Sequence, residues 1–214
     1  MTRLELYQRT VRALNDNPEA PVYWAPSEIH GYLNEALEVL AEDVPFVKRT
    51  FTVPRRPGVS VYQVSGISPT ILAPYRVNLP DYQRRLASRT LQDLDGRYER
   101  WMEAVGIPEV WVSLSWDQFL VALHETTPTG TLEVNCYCYP DALDDDSDVP
   151  ELQPTSQEAI VDYAEGVAQL KEWHAQEAVK CWQAFFTKAK HAKSQAAINR
   201  VHSRFWSRNG DSGR

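Results

Sequence analysis

The chain has 214 residues, of which 43% are hydrophobic and 24% are charged. This length and balance are typical of a globular protein with a buried core, and no run approaches the ~20 apolar residues of a membrane helix. The formal net charge of -7 is unevenly distributed, because residues 1–170 carry 13 Lys and Arg against 26 Asp and Glu, whereas residues 171–214 carry 9 against 3. An acidic body with a basic C-terminal segment indicates that this segment binds an acidic partner, which is nucleic acid, an acidic protein surface or, in an oligomer, the body of a neighbouring copy.

The N-terminal sequence predicts two helices. Thr2 is a suitable cap for a first helix with an apolar face of Leu4, Tyr7, Val11 and Leu14. Ser27 is a suitable cap for a second helix, which ends before Val44-Pro45. Its inward residues are Ile29, Leu33, Leu37 and Leu40. Because the connection is short and rich in proline, we expect a helical hairpin in which both stripes face one core.

The pattern then becomes alternating, which predicts strands. Val47, Phe51 and Val53 indicate a strand that forms a hairpin with residues 59–64 through the turn at 54–58. A third strand is indicated by Tyr75, Val77 and Leu79.

A helix and further strands follow. Ser88 is a suitable cap for a helix through Leu91, Leu94, Tyr98 and Trp101. Alternation at 110–115, 118–123 and 132–139, with the turn TTPTG before the last segment, predicts an antiparallel sheet with one buried face.

The three cysteines are Cys136, Cys138 and Cys181. An odd number of cysteines without the spacing of a disulfide framework predicts reduced thiols and folding inside a cell. The N-terminus is too charged for a signal peptide, which agrees with this prediction. Cys136 and Cys138 share a strand face with Leu132 and Val134, so a place in the core is favoured over a metal or redox pair.

An acidic stretch at 141–155 separates the strands from the C-terminal helices. Its run of aspartates lacks the Gly and Glu of an EF-hand loop, since those positions hold Val149 and Thr155, and a solvated linker is expected. Apolar spacing from Ile160 to Phe186, with Leu170 on the inward face, then predicts two packed helices with a junction near Trp173–Gln176. From His191 onward we expect the chain to leave the core.

The C-terminal segment is the main candidate site. The sequence NRVHSRFWSR, at 199–208, places two adjacent aromatic residues among arginines, which is typical of a docking peptide, although a free solvated tail is the alternative. The predicted partner-binding residues are Lys188, Lys193, Arg200, Arg204, Phe205, Trp206 and Arg208. Tyr23, Trp24 and Trp111 are candidate interface residues, with a place in the core as the equal alternative.

The sequence contains no recognisable motif of a catalytic, cofactor or metal site. The five histidines are scattered, no nucleophile elbow or glycine-rich phosphate loop is present, and we expect no catalytic residue, no cofactor and no bound metal. Two alternatives stay open. One is a nucleic-acid-binding module that uses the basic tail with Trp206 as a stacking platform, and the other is an enzyme whose site is assembled from distant residues.

Several segments together resemble a known family. They are residues 29–37 with Tyr32-Leu33-Asn34-Glu35 at their centre, Phe51-Thr52-Val53 leading to Val61-Tyr62, Trp101 before Gly106-Ile107-Pro108, and Val149-Pro150-Glu151-Leu152 leading into 159–164. In kind and order they resemble the adaptor, or head-to-tail connector, proteins of tailed bacteriophages over about residues 4–190.

The resemblance implies a virion structural protein, made in the host cytoplasm, that forms a ring of typically twelve copies at the head–tail interface. Such a ring binds the portal protein through C-terminal segments, receives the tail or nozzle protein on its other side, and surrounds the passing DNA without binding it specifically. No membrane and no enzymatic activity are expected.

The expected fold is α+β, with helices from both ends of the chain and an inserted antiparallel β module. The expected segments are a helical hairpin at 1–45, a β-rich module at 46–140 with one helix near 88–104, an acidic linker at 141–155, C-terminal helices at 156–190 that pack on 1–45, and a basic docking arm at 191–214.

Overall fold

The structure is a computed structural model that describes residues 1–97, 101, 104–122 and 130–209, and of residue 97 and residues 195–209 it describes the backbone alone. The predicted α+β class is confirmed. The helices are α1 (Arg3–Ala13), α2 (Pro26–Asp43), α3 (Leu91–Arg97), α4 (Glu158–Lys171) and α5 (Ala175–Asn209). The strands are β1 (Val47–Pro54), β2 (Val61–Gln63), β3 (Ile71–Leu79), β4 (Arg84–Arg85), β5 (Ala87–Ser88), β6 (Val110–Ser113), β7 (Gln118–Ala122) and β8 (Thr131–Cys138).

The chain divides into two compact units. Unit 1 consists of Met1–Phe46 with Pro140–Arg214, and unit 2 is Val47–Tyr139. Unit 1 therefore draws its helices from both ends of the chain, and unit 2 lies between them in sequence.

Helix α1 begins where the sequence predicts. Thr2 accepts a hydrogen bond from the Glu5 backbone N–H (3.2 Å), and the Glu5 carboxylate accepts one from the Thr2 N–H (3.1 Å), which completes a capping box. The predicted apolar face is partly wrong, because Leu4 is exposed and Leu6 is fully buried with Tyr7 and Val11. Helical spacing permits either leucine, and packing in the helical core selects Leu6.

Helix α2 buries the four residues expected of it. Ile29, Leu33, Leu37 and Leu40 are each 0–1% exposed and lie in one core with buried residues of α1. The predicted cap is wrong, because the N-cap is Ala25, which makes no side-chain bond, and Pro26 takes the first helical position. Proline is favoured there since its missing N–H would have no helical partner.

Helices α4 and α5 meet at residues 172–174, and the predicted junction is confirmed. The buried residues include Ala159, Ile160, Ala164 and Ala168 of α4 and Ala178, Phe185 and Ala189 of α5. Two expectations are corrected. Leu170 is exposed because it lies in the last turn of α4, and Ala192 is buried, so α5 serves the core further along the chain than predicted.

Gly166 allows α4 and α5 to approach closely. A methyl group at this position would lie 2.7 Å from Trp182 Nε1 and 3.3 Å from Cys181 Cβ. The indole ring therefore occupies the space that a side chain would need.

Gly166→Ala is accordingly expected to destabilise the protein by about 1 kcal/mol, because overpacking costs about 1–3 kcal/mol and the gain in helix propensity offsets about 1 kcal/mol of it. The measurement is urea unfolding followed by circular dichroism. Gly31→Ala in α2 is the matched control, since nothing lies within 4 Å of the added methyl group and propensity alone should raise stability. Equal stabilisation by both variants would refute the close approach at Gly166.

The acidic stretch is exposed at most of its aspartates but is anchored to unit 1. Leu143, Pro150 and Leu152 are buried, and Asn34 of α2 accepts a hydrogen bond from the Leu143 N–H (2.9 Å). Arg3 of α1 pairs with Asp146 (2.6 Å). The expectation of a purely solvated linker is therefore corrected, since apolar residues around the aspartates attach this segment to the helices.

The described residues of unit 2 form two four-stranded sheets, with strand orders β1-β8-β3-β4 and β2-β7-β6-β5. The predicted hairpin of β1 with β2 is wrong. All eight residues of β1 pair antiparallel with β8, whereas β2 pairs with β7. Alternation identifies a strand and its buried face but not its partner, and the long β8 offers β1 more cross-strand pairs than the three-residue β2 does.

Strand β8 has the predicted alternation. Leu132, Val134, Cys136 and Cys138 are buried, and neither cysteine forms a disulfide, so the core position of the two cysteines is confirmed. Burial raises the pKa of Cys136 to about 12. This thiol is therefore protonated and a poor nucleophile at neutral pH.

The second sheet corrects the expectation of one buried face. Strands β6 and β7 bury both faces, since Trp111 and Val121 are covered as well as Val112 and Leu120. The sheet is also not wholly antiparallel, because β5 pairs parallel with β6.

Helix α3 begins two residues later than its predicted cap allows. Thr90 Oγ1 accepts a hydrogen bond from the Asp93 N–H (3.1 Å) and caps the helix, because Ser88 belongs to β5. Leu94 and Trp101 are buried as expected, but the predicted helix is partly wrong, because Leu91 is 43% exposed and Trp101 lies in a turn. The predictions for Tyr98, for residue 123 and for residues 126–129 of the TTPTG turn lie outside the described residues.

Candidate interaction surfaces

Helix α5 carries the predicted partner-binding residues, and two of them bind acids of unit 1. Lys188 Nζ lies 2.6 Å from Asp162 Oδ2 of α4, and Lys193 Nζ lies 2.7 Å from Asp43 Oδ1 of α2. Burial raises the pKa of Asp162, while its bond to Lys188 opposes that rise. These lysines therefore fasten α5 to the rest of the helical unit, a role that the sequence pattern does not indicate.

The remaining predicted anchors follow along the same helix. The backbone of α5 continues to Asn209, about 25 Å beyond Ala192 at 1.5 Å per residue. The segment 191–209 is thus helical. On this stretch lie Arg200, Arg204, Phe205, Trp206 and Arg208, whose side chains are outside the described part of the chain.

The other end of the helical unit is formed by the α1–α2 loop and the α4–α5 turn. Lys171, at the end of α4, hydrogen-bonds Glu28 of α2, and its ammonium lies 5.4 Å from the centre of the Trp24 ring. The bond from Lys171 holds the pKa of Glu28 below its usual range. Trp24 is buried beneath these contacts and therefore belongs to the core.

Asp16 organises the α1–α2 loop. Its carboxylate accepts hydrogen bonds from the backbone N–H groups of Tyr23 (3.1 Å), Val22 (3.2 Å) and Asn17 (2.8 Å). These bonds, with the Tyr23 N–H contributing most, lower the pKa of Asp16. The Tyr23 side chain is 77% exposed above this loop, and its interface role stays a prediction.

Two exposed tryptophans are not identified by the sequence pattern. Trp173, in the α4–α5 turn, is 91% exposed, and Trp116, between β6 and β7, is 79% exposed. Trp111, a candidate from the sequence, is buried in the second sheet. Their positions in the chain could have distinguished these tryptophans from Trp111. Each exposed ring lies in a tight turn, whereas Trp111 lies inside a strand whose two faces are both covered.

The backbone at Trp173 is unusual for its residue type. Its φ is +64°, and the turn has the hydrogen bonds of a Schellman motif, from the Trp173 N–H to the Leu170 carbonyl (3.0 Å) and from the His174 N–H to the Gln169 carbonyl (2.9 Å). Glycine or asparagine normally takes this position because other side chains are strained there.

Two kinds of site are not found within the described ranges. No group of three or more His, Cys, Asp and Glu side chains there is arranged to hold a metal ion, and none of the described helices is both long and apolar enough to cross a membrane.

The family model for the SU10 adaptor protein matches residues 1–209. No curated protein matches the chain. The family match covers both structural units and the whole of α5, so it confirms the resemblance to phage adaptors and supports a structural role in the virion. The chain belongs to the SU10 adaptor protein family.

Proposed function

We propose that the protein forms a ring of twelve copies that joins the portal of a tailed phage to its tail or nozzle and surrounds the DNA channel. The observation that carries this proposal is the course of α5, which is fixed to the core as far as Ala192 and continues as a helix to Asn209. A helix anchored at one end is a suitable arm for reaching a second protein.

Charge and composition support the portal as the partner of this arm. Lys188 and Lys193 are engaged within the chain, so the docking set narrows to Arg200, Arg204, Phe205, Trp206 and Arg208. Arginine and tryptophan dominate the energetics of many protein interfaces, and an arginine-rich helix favours an acidic docking surface.

The acidic body suits a channel for DNA. Residues 1–170 carry twice as many acidic as basic side chains. Like charge between a channel wall and phosphates prevents the duplex from adhering during passage. In this proposal the DNA passes without specific binding, and the tail protein binds on the side of the ring away from the portal.

The test is mass photometry of the chain alone, of the cognate portal ring alone, and of their mixture. The proposal predicts a complex whose mass exceeds that of the portal ring by twelve times the chain mass of 24.5 kDa. A chain that stays monomeric in the presence of the portal contradicts it. Tight, strongly salt-dependent binding of the isolated chain to duplex DNA would instead favour the nucleic-acid alternative.

A further inference from the structure

Trp173 has a strained backbone conformation and an exposed side chain. The fold of its own chain explains neither feature. A bulky residue at positive φ is disfavoured relative to glycine. Trp173 is 91% exposed, more than any other large apolar residue in the described part of the chain, so packing within the protein does not offset this strain.

Helix α1 provides an internal comparison. It ends in the same motif, with hydrogen bonds from the Asn15 N–H to the Arg12 carbonyl (3.0 Å) and from the Asp16 N–H to the Val11 carbonyl (3.0 Å). There the residue at positive φ is Asn15, which tolerates the conformation. A tryptophan in the equivalent position after α4 therefore indicates a requirement for the ring outside this chain's own fold.

Unit 2 has a groove of suitable size and chemistry for such a ring. Its volume is about 530 Å³, and its lining combines the apolar residues Val59, Val61 and Ile67 with the polar residues Thr52, Gln63 and Gln118. Val59 and Val61 are partly exposed, and β2 is the edge strand of its sheet, so the groove is open. A groove that mixes apolar and polar groups suits an indole, because its ring is apolar and its N–H is a hydrogen-bond donor.

The charges around the two surfaces are complementary. Glu172 is adjacent to Trp173 in sequence, and its carboxylate, 3.7 Å from His174 Nδ1, is 44% exposed. The charges of Lys171 and Glu177 are balanced by their partners Glu28 and Lys180. Arg56 is the charged member of the groove lining. An aromatic ring beside a carboxylate is thus matched by a groove whose lining includes a guanidinium.

We propose that Trp173 of one copy inserts into the unit 2 groove of the next copy, and that this contact links the subunits of the ring. The contact is heterologous, because it joins two different surfaces and every copy carries both of them. Repeating the same contact from copy to copy forms a closed ring when the rotation between neighbouring copies permits it. The inference rests on the proposed function for the closed ring, whereas the contact between two copies is testable without the portal.

The strain gives a first test. Trp173→Gly is expected to raise the melting temperature by about 2–4 °C, because it relieves the positive φ and removes few contacts, while it abolishes association between copies. Asn15→Gly is the matched control, and it should leave both properties nearly unchanged. A Trp173→Gly variant that associates as well as the wild type overturns the proposal.

A mixing experiment tests the pairing itself. One variant, Trp173→Gly, lacks the ring but keeps the groove, and the other, Val61→Glu, keeps the ring but places a carboxylate in the groove. Each variant alone should be monomeric, and their mixture should form dimers and nothing larger, because only one compatible contact exists between them. Sedimentation velocity gives the sizes, and circular dichroism confirms that both variants are folded.

The experiment is run in free solution and on portal rings, so that either form of wild-type association is observed. A mixture that behaves like the separate variants overturns the proposal, as does a wild type that associates under neither condition. Wild-type rings that form through Trp173 but do not bind the portal would overturn the proposed function and leave this contact supported.

Discussion

Removal of residues 195–214 is expected to abolish binding to the portal while leaving the protein folded. The last buried residue of α5 in the described part of the chain is Ala192, and the ion pairs of Lys188 and Lys193 are retained in the truncated chain. The deletion removes the anchors of the proposed interface, Trp206 among them, and a few such residues carry most of the energy of an interface. The measurement is co-sedimentation with portal rings, with the melting temperature recorded for each variant.

A shorter truncation provides the control for that experiment. Removal of residues 210–214 alone takes away Asp211 and Arg214 but keeps the whole of α5, so binding should persist. The docking role of the helix is refuted if the chain without residues 195–214 still sediments with the portal.

Phe185→Ala is expected to cost about 3–5 kcal/mol in the free energy of unfolding. Phe185 is 2% exposed, and its ring meets that of Tyr163 edge to face at 5.2 Å, which makes it one of the largest buried side chains joining α5 to α4. Truncation leaves a cavity that the neighbouring helices only partly fill. Urea unfolding followed by circular dichroism gives the loss directly.

The adjacent residue is the control. The ring of Phe186 lies 5.2 Å from that of Phe185 but is 56% exposed, so Phe186→Ala should change stability by roughly 0.5 kcal/mol or less. Similar losses in the two variants would show that α5 is not fixed to the core through Phe185, and the arm would then lack its anchored base.

The sequence alone predicts the buried face of an element when one periodic pattern of apolar residues determines that face. In α2 the spacing of Ile29, Leu33, Leu37 and Leu40 identifies the buried face, and in β8 strict alternation identifies the two core cysteines. Periodicity predicts such faces because one side of the element is covered and the other is not. The junction of α4 and α5 is also predictable, since the apolar stripe is interrupted there.

Features that depend on distant segments cannot be predicted in the same way. The pairing of β1 with β8 joins residues far apart in sequence, and alternation in each strand contains no information about its partner. The ion pairs of Lys188 and Lys193 likewise require the fold, because a basic helix face looks the same whether it faces solvent, a partner or acids of its own chain. Trp173 is not evident from the sequence because its positive φ is a property of the turn.

Electron cryomicroscopy of the chain bound to its cognate portal tests the central claim most directly. We predict a ring of this protein beneath the portal, with the C-terminal part of α5 from each copy in contact with portal subunits. A complex in which α5 points away from the portal, or in which the chain binds without forming a ring, would contradict the role of an adaptor that joins portal to tail.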